Sequence, residues 1–429
     1  MEGGLKTTWN RWYAFKSYLR STIWTVPLFA ILAEQATFRA LMVLTPGLGG
    51  IPGFTYSEVG TVAAMDWVIG SSITYMTFAF GMLLVAIQVS SGQLTPRIVA
   101  TTLLRDNTIR FSLGLFVYTL MLAVSVKLRT ERIPPFLMSV ASILGLVSTA
   151  VFLFLIDYSA RMLRPVSIVS RVGNLGLRVF EEVYPRQIKA GSSTARSDRK
   201  LDPPGRTVLH EGTSAIVIAV NLQALVAEAQ KADGIIEFAH RVGDFVAVGE
   251  PLFWLHDGAL AIDDRILRGL VAFGPERTIE QDSTFAVRVI VDIAIKALSK
   301  AINDPTTAVL AIDQLHRLLR AVGKRHLHDD EVCAADGRPR LIFRTPNWSD
   351  FVQLAFTEIR LYGAENPQVA RRLRAMIENL IQGLPEARQP ALRHELDLLN
   401  GMLEKLYLLP QDAVLARVAD SQGLGGSSL

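Results

Sequence analysis

The apolar residues of the chain are concentrated before residue 157, where they form four long runs. A helix that crosses a bilayer needs about 17–25 mostly apolar residues. The runs therefore predict a membrane domain, residues 1–164, with four transmembrane helices. The predicted spans cover about 22–44, 67–89, 111–128 and 133–156.

The pattern changes after the fourth run to that of a globular protein. Residues 165–206 predict a juxtamembrane helix and a linker, and residues 207–280 predict a small β-rich module with one helix. Apolar positions recur at helical spacing over 281–420, and residues 421–429 have the composition of a disordered tail. The expected fold class is an α-helical membrane protein with a cytosolic α+β domain, which contains a β-module and a helical C-terminal part.

Basic residues next to the runs predict the orientation in the membrane. They precede the first span, separate the second from the third and follow the fourth, whereas the first connecting loop, about 46–64, has none. The positive-inside rule then places both termini in the cytosol of a multi-pass inner-membrane protein. Lys127, Arg129 and Arg132 fall on the opposite side and disagree with this topology. They leave a re-entrant hairpin of the third and fourth runs as the alternative.

Small and polar residues follow one stripe of the second span. The stripe consists of Gly70, Thr74, Thr77, Gly81 and Gln88. Small residues on one face let helices approach closely in lipid. The stripe therefore indicates helix packing, and the lining of a conduit is the alternative.

The first span contains two ionisable residues, Glu34 and Arg39. An ionisable residue at membrane depth is costly and indicates function by default. Arg39 can reach the outer interface and pair with Glu34 if the helix bends slightly, so we favour a structural pair over a transport carboxylate. At the end of the second span, Pro96 stops or kinks the helix and Arg97 meets the anionic headgroups.

The stretch Phe285–Arg320 combines two helical patterns with polar residues. Arg288, Asp292 and Lys296 are spaced i, i+4, i+8 and predict two ion pairs on one helix. Ser283 can cap this helix, and its nearly all-round apolar character is typical of a buried helix.

The second pattern of the stretch begins at a corner. Asn303 or Asp304 can cap the helix, and Pro305 suits its first turn. Asp313 can pair with Arg317 at i+4. We interpret the whole stretch as the buried spine of the cytosolic domain and as a candidate subunit interface.

The composition and motifs do not indicate catalysis. The single cysteine, Cys333, excludes an intramolecular disulfide and a zinc site built on several cysteines. The net charge of +4 comes largely from the flanks of the spans, so it does not indicate nucleic-acid binding. The sequence has no nucleophile elbow, phosphate-binding glycine loop, HExxH or EF-hand spacing. We expect no enzymatic activity, no cofactor and no metal site. A membrane-bound enzyme is the least favoured alternative. Its candidate acid, base or metal groups, which have no metal-ligand spacing, are Glu280, Asp282, Asp292, Asp304, Asp313 and His316.

Residues 234–256 are similar to the hairpin of biotinyl and lipoyl carrier domains. Those carriers present a modified Lys in the turn that follows. The corresponding turn here, residues 254–258, has no Lys. The resemblance therefore implies a structural β-module and not a swinging-arm carrier.

Several short motifs follow one another along the chain, namely Ser90–Arg97, Gly243–Val246, Gly249-x-Pro251-Leu252, Glu276–Thr278, Gln281-Asp282, Ala297–Ala308 and Trp348-x-Asp350. With these motifs the chain as a whole resembles a bacterial family of four-span membrane proteins of unknown function with a soluble C-terminal half. Lys300 departs from the family pattern, which has Pro there, and the first outer loop is short. The resemblance implies this architecture and brings no activity, substrate or catalytic residue.

Two functions are favoured by these features over the enzyme. The first is an oligomeric channel- or transporter-like protein with a cytosolic regulatory domain. The second is a membrane-anchored signalling or scaffold protein without transport activity. For the first we expect the lipid bilayer, further copies of the chain and an ion or small solute as partners, and no nucleic acid.

Overall fold

The computed structural model describes residues 9–45, 48–54, 57–95, 105–129, 134–188, 202–327, 331–333 and 337–425. The chain forms two compact units. The membrane unit comprises Tyr18–Gly92 and Pro96–Ile168, and the mixed unit comprises Met1–Ser17, Gln93–Thr95 and Val169–Leu429. Within the described residues, four helices are long and apolar enough to cross a bilayer. This result confirms the predicted fold class of a four-span membrane protein.

The apolar runs form the four long helices of the membrane unit. Ser57 Oγ accepts a hydrogen bond from Gly60 N at 3.2 Å, which caps the second helix. This helix therefore begins at Glu58 and not at Trp67, where the apolar run starts. The helices are α2 (Thr25–Leu44), α3 (Glu58–Val89), α4 (Asn107–Lys127) and α5 (Pro135–Met162), preceded by α1 (Trp9–Ser21).

Helix α4 is the centre of the membrane unit and packs against α2, α3 and α5. Two glycines of this unit lie directly against side chains of neighbouring helices. A Cβ atom at Gly114 would lie 2.8 Å from Val26 Cγ1 of α2, and one at Gly145 would lie 2.6 Å from Val68 Cγ2 of α3. Small residues are the usual means of close helix packing in lipid.

The mixed unit combines two small sheets with helices. Its first elements are α6 (Pro165–Val183), β1 (Arg206–Leu209), β2 (Ala215–Val220), α7 (Leu222–Lys231), β3 (Gly234–Phe238), β4 (Phe245–Val246), β5 (Pro251–Asp257), α8 (Asp264–Gly269) and β6 (Val271–Gly274). The later elements are α9 (Ser283–Ala297), α10 (Pro305–Gly323), β7 (Glu331–Cys333), β8 (Pro339–Phe343), α11 (Trp348–Gly363), α12 (Pro367–Gly383), α13 (Gln389–Leu406) and α14 (Pro410–Ala416).

The strands form a five-stranded sheet, order β1-β5-β3-β8-β7, and a three-stranded sheet, order β4-β2-β6. Strands β2 to β5 and helix α7 lie within residues 207–280, for which the sequence pattern predicted short strands and one helix. The predicted cap Asn221 is present, since its Oδ1 accepts from Ala224 N at 3.1 Å. Apolar side chains of both sheets share one core with α7, to which Val217, Leu225, Phe253 and Leu341 belong.

Strands β7 and β8 lie in a part of the chain for which we predicted only helices. Strand β8 pairs in parallel with β3, with Ile236 opposite Leu341 and Phe238 opposite Phe343. A run as short as Pro339–Phe343 does not distinguish strand from helix by periodicity. Its partner lies about a hundred residues upstream, so the sequence around it gives no pairing signal.

Helix α9 is the most buried helix of the mixed unit, as its apolar pattern predicts. Phe285, Val289, Ile290 and Ile293 are all buried, and α9 packs against α10 and α11. This packing agrees with our interpretation of Phe285–Arg320 as a buried spine.

The segment after α14 is held in place as far as Gly425, although we predicted a disordered tail over 421–429. The Asp420 carboxylate accepts from the backbone N–H groups of Gln422, Gly423 and Gly425 at 2.8–3.0 Å. Burial opposes the charged form of Asp420, but these hydrogen bonds outweigh it and lower its pKa. The buried Arg371 donates to the carbonyls of Val418 and Gly425 at 3.0 and 3.1 Å. Such contacts between side chain and backbone leave no trace in composition.

Candidate functional site

Glu34 lies on the buried side of α2, which packs against α4. The buried residues of α2 are Thr25, Glu34 and Phe38. Large apolar side chains of the same helix, such as Phe29 and Leu32, are exposed instead. The helix therefore turns a carboxylate towards the protein interior and most of its apolar surface outwards.

Only half of the Glu34 carboxylate is satisfied. Oε2 accepts a hydrogen bond from Gln35 Nε2 at 2.9 Å. Oε1 is buried and has no hydrogen-bond partner among the described residues. A buried carboxylate oxygen without a partner is unfavourable by about 1–3 kcal/mol or more. This oxygen can accept a proton or coordinate a small cation.

The expected pair between Glu34 and Arg39 is not formed, since Arg39 is exposed and no ion pair joins these two described residues. Residues five positions apart on an α-helix point in directions about 140° apart. The slight bend that we assumed does not overcome this separation.

Hydroxyl groups link the other helices of the membrane unit. Thr119 Oγ1 and Ser148 Oγ are buried and lie 3.1 Å apart. Tyr75 Oη lies 2.9 Å from Thr149 Oγ1. Ser72 is fully buried, and its Oγ has no partner among the described residues. The interior of the unit is therefore polar at several positions besides Glu34.

The stripe of the second span lies on the outside of the membrane unit. Gly70, Thr74, Thr77, Gly81 and Gln88 are all exposed. The hydroxyl of Thr74 donates to the carbonyl of Gly70, and that of Thr77 to the carbonyl of Ile73, both at 2.9 Å. The two threonines are thus satisfied within their own helix. The stripe therefore does not line the interior of a single chain. Arg97, which we expected at the headgroups after this helix, lies outside the described residues.

Arg288 of α9 joins two helices through two carboxylates. It pairs with Asp292, as predicted, and also with Glu358 of α11, which we did not predict. The hydrogen bond from Arg288 lowers the pKa of Glu358 against the opposing effect of burial. Lys296 is half-buried on the same helix.

The corner before α10 has the predicted cap. Asp304 Oδ1 accepts from Thr307 N at 3.0 Å, and Pro305 occupies the first turn. Asn303 adopts a left-handed conformation with φ of 48°. Asn tolerates this conformation better than most residues because its short polar side chain can bond locally. Both residues therefore have structural roles in this corner.

Asp313 does not pair with Arg317, contrary to our prediction. Asp313 Oδ1 accepts from Nε of the buried Arg372 at 2.7 Å, and Arg317 donates to Asn174 Oδ1 at 2.8 Å. A buried guanidinium needs a counter-charge more than an exposed one does. Arg372 also lies 3.2 Å from His316 Nδ1. Burial lowers the pKa of His316. The hydrogen bond with Asn379 opposes this shift, and the charges of Arg372 and Arg320 add to it.

A contact between the β-module and α9 was not predicted from the sequence. The cap of α9 is Asp282 and not Ser283, since Asp282 Oδ1 accepts from Thr284 N and Phe285 N. Its other oxygen binds Arg277, and Gly243 packs against this pair with a φ of 95°. The Gly-Asp turn at 243–244 and the Asp before an apolar run were the available signals. Within the described ranges, no three His, Cys, Asp or Glu side chains come together as metal ligands would.

Comparisons with known proteins identify the family. The family model described as "Predicted membrane protein (DUF2254)" matches residues 20–379. An uncharacterized protein of Mycobacterium bovis and one of Mycobacterium tuberculosis are each 26% identical to the chain over 405 residues, which cover 87% of this chain and 74% of theirs. No solved structure matches the chain significantly. The chain belongs to the DUF2254 family of predicted membrane proteins.

Proposed function

We propose that this protein is an oligomeric, transporter-like protein of the cytoplasmic membrane in which Glu34 binds a proton or a small cation. The observation that carries the proposal is the burial of Glu34 with one oxygen unpartnered among the described residues. In this proposal the mixed unit is a cytosolic regulatory domain.

A purely structural role explains Glu34 poorly. Among the described residues, the carboxylate accepts one hydrogen bond, from the adjacent residue Gln35, so it connects no second helix through these contacts. An apolar side chain at this position would fill the same space without a desolvation cost. Insertion of a charged residue at the centre of a membrane helix costs about 2.5–3.5 kcal/mol. A bound proton or cation at Oε1 removes this cost, and exchange of that ion is the basis of the proposed transport.

The exposed stripe on α3 supports an oligomer. Gly70 and Gly81 have open space beside them, since a Cβ atom at either position would meet no atom within 4 Å. Thr74 and Thr77 need no external hydrogen-bond partner. A surface of this kind allows a helix of a second copy to approach closely in lipid.

The contacts of two basic residues support the proposed topology, with both termini in the cytosol. Lys127 pairs with Asp66, and the guanidinium of Arg129 lies 5.1 Å from the centre of the Phe38 ring. Both groups are thus engaged within the membrane unit. Basic residues that have such partners are weaker evidence against the proposed topology than unpartnered ones would be.

The continuity of α5 and α6 supports a regulatory role for the mixed unit. Leu163 and Arg164 alone separate these two helices. Helix α6 is tightly held, because a Cβ atom at Gly176 would lie 2.9 Å from Ala286 Cβ of α9 and 3.1 Å from Leu318 Cδ2 of α10. A rearrangement around α9 and α10 would therefore move the helix that continues the last span. We propose that the cytosolic part of the chain comprises the juxtamembrane helix and linker at 165–206, the β-module at 207–280 and the helical part at 281–420.

Flux through proteoliposomes tests the proposal. Purified full-length protein is reconstituted, and proton and monovalent cation fluxes are recorded with dyes inside the vesicles. Glu34→Gln keeps the shape and the hydrogen-bonding capacity of the side chain but removes its charge. We expect this variant to lose flux at least tenfold. Asp157→Asn is the control, since Asp157 is exposed and paired with Arg161 one helical turn away, and it should keep the flux.

The scaffold function is the other outcome of this experiment. If the wild-type protein carries no flux under any ionic condition, the proposal of transport is wrong. The mixed unit, which contains most of the chain, would then carry the function by binding other proteins.

A further inference from the structure

We propose that α1 is an interfacial helix that binds the anionic surface of the bilayer with one side while its other side is packed on the three-stranded sheet. Lipid binding by α1 is independent of transport, since α1 lies outside the four spans.

One side of α1 packs on the three-stranded sheet. Trp9 and Tyr13 stack on each other, with ring centres 5.3 Å apart. Both pack against buried side chains of β2 and β6, namely Ile218, Ala219 and Ala272. Ser17 is buried on the same side and donates to Glu280 Oε1 at 3.4 Å. Positions 9, 13 and 17 lie within about 80° of one another on a helix.

The opposite side of α1 carries exposed aromatic and basic residues. Arg11, Phe15 and Tyr18 are spaced i, i+4 and i+7 and point away from Tyr13. Trp12 lies beside Phe15, with ring centres 6.3 Å apart. Lys16 is also exposed and lies one turn after Trp12, at the edge between this side and the packed side. An exposed aromatic patch of this kind marks an interaction surface.

The position of α1 in the chain identifies the partner as lipid. Only Thr22–Trp24 separates α1 from the first span, α2. This surface is therefore continuous along the chain with a segment that enters the bilayer. Trp and Tyr favour the depth of the headgroups, and Arg and Lys are attracted to anionic lipid. Aromatic residues beside basic ones, on one face of a helix, are typical of helices that lie in the interface.

The two sides together make α1 a connection between lipid and the β-module. The rings of Trp9 and Tyr13 pack on the three-stranded sheet, while Trp12 and Phe15 would insert into the headgroup region. A change in surface charge or lipid packing would then act on this sheet directly.

Quenching by brominated lipid tests the inference in the full-length protein. Cys333, which is exposed, is replaced by Ser, and a fluorophore is attached after Trp12→Cys. The control is Phe245→Cys in the same background, because Phe245 and Trp12 are each 63% exposed. In vesicles that contain brominated anionic lipid, we expect quenching at position 12 to be at least threefold stronger than at position 245. Equal quenching at the two positions would overturn the inference.

Two further arms distinguish lipid from a protein partner and test the role of charge. Phe15→Cys repeats the measurement in case Trp12→Cys disturbs folding. A label at position 12 that is shielded from aqueous iodide but not quenched by brominated lipid would indicate a second copy of the chain as the partner, and would contradict the inference. Arg11→Gln combined with Lys16→Gln should abolish the difference in quenching between anionic and zwitterionic vesicles. A difference that survives would contradict the role of charge.

Discussion

Arg277 donates two hydrogen bonds to the same oxygen of Asp282, from Nε at 2.9 Å and from Nη2 at 2.7 Å. The other oxygen of Asp282 accepts from the backbone N–H groups of Thr284 and Phe285 at 3.1 and 3.0 Å. One carboxylate therefore both fixes the loop after β6 and begins the most buried helix of the mixed unit.

Replacement of Asp282 should destabilise the mixed unit, and more strongly by Ala than by Asn. Asp282→Asn removes the charge that Arg277 requires, and because Arg277 is partly exposed we expect a loss of about 1–3 kcal/mol in the free energy of unfolding. Asp282→Ala also removes the helix cap, with a further loss of about 1 kcal/mol. Thermal unfolding of the full-length protein in detergent measures both. An Asn variant as stable as the wild type would show that the ion pair contributes nothing.

Gly243→Ala should be more harmful than Gly249→Ala. Both glycines have a positive φ, 95° and 85° respectively, so both variants strain the backbone by about 1–2 kcal/mol. A Cβ atom at Gly243 would also collide with Arg277 and Asp282, whereas one at Gly249 would meet no atom within 4 Å. We expect the larger decrease in melting temperature for Gly243→Ala. Equal decreases would mean that strain alone matters at both positions.

Asp304→Ala should reduce stability before it reduces any activity. The variant loses the cap of α10, which corresponds to about 1–2 kcal/mol and to a decrease in melting temperature of about 2–4 °C per kcal/mol. Asn303→Gly is the control, since glycine adopts the left-handed conformation without strain, and it should melt near the wild-type temperature. Asp304→Ala with unchanged stability and oligomer size but without activity would contradict the structural role.

The pair between Glu358 and Arg288 should give the mixed unit an acid-dependent stability. The pKa of Glu358 is lower in the folded protein than in the unfolded chain. Its stabilising effect is therefore present above the ordinary Glu pKa of about 4.3, and it is lost as the pH falls through the lowered value. We expect Glu358→Gln to reduce the dependence of melting temperature on pH below about 4.3.

The control for this prediction uses Arg288. In an Arg288→Met background, Glu358→Gln should no longer change the dependence on pH, because the source of the shift is gone. If Glu358→Gln still changed the pH dependence of melting temperature in that background, a group other than Arg288 would be the cause of the lowered Glu358 pKa.

Features that depend on neighbours in the sequence could be predicted, and features that depend on distant residues could not. The apolar runs predicted four spans, and Asp304 before Pro305 predicted the cap of α10. The pairing of β8 with β3 and the pairing of Asp313 with Arg372 join residues that are far apart in the chain, and no local pattern indicates them.

The candidate site shows the same limit. Glu34 was recognised because a carboxylate in an apolar run is unusual. Its burial against α4 depends on how α2 is rotated, and the apolar residues of α2 do not determine this because they lie on all sides. The sequence therefore led us to pair Glu34 with Arg39, which the structure separates.

Chemical labelling of Glu34 tests the proposed ion-binding role most directly. A membrane-soluble carbodiimide modifies carboxyl groups in apolar surroundings, and mass spectrometry of the reconstituted protein identifies the modified residue. We predict modification at Glu34 that decreases when the transported cation is added, with Glu34→Gln as the unmodified control. Labelling of Glu34 that is absent, or that neither protons nor any small cation alter, would contradict the proposal that this carboxylate binds the transported ion.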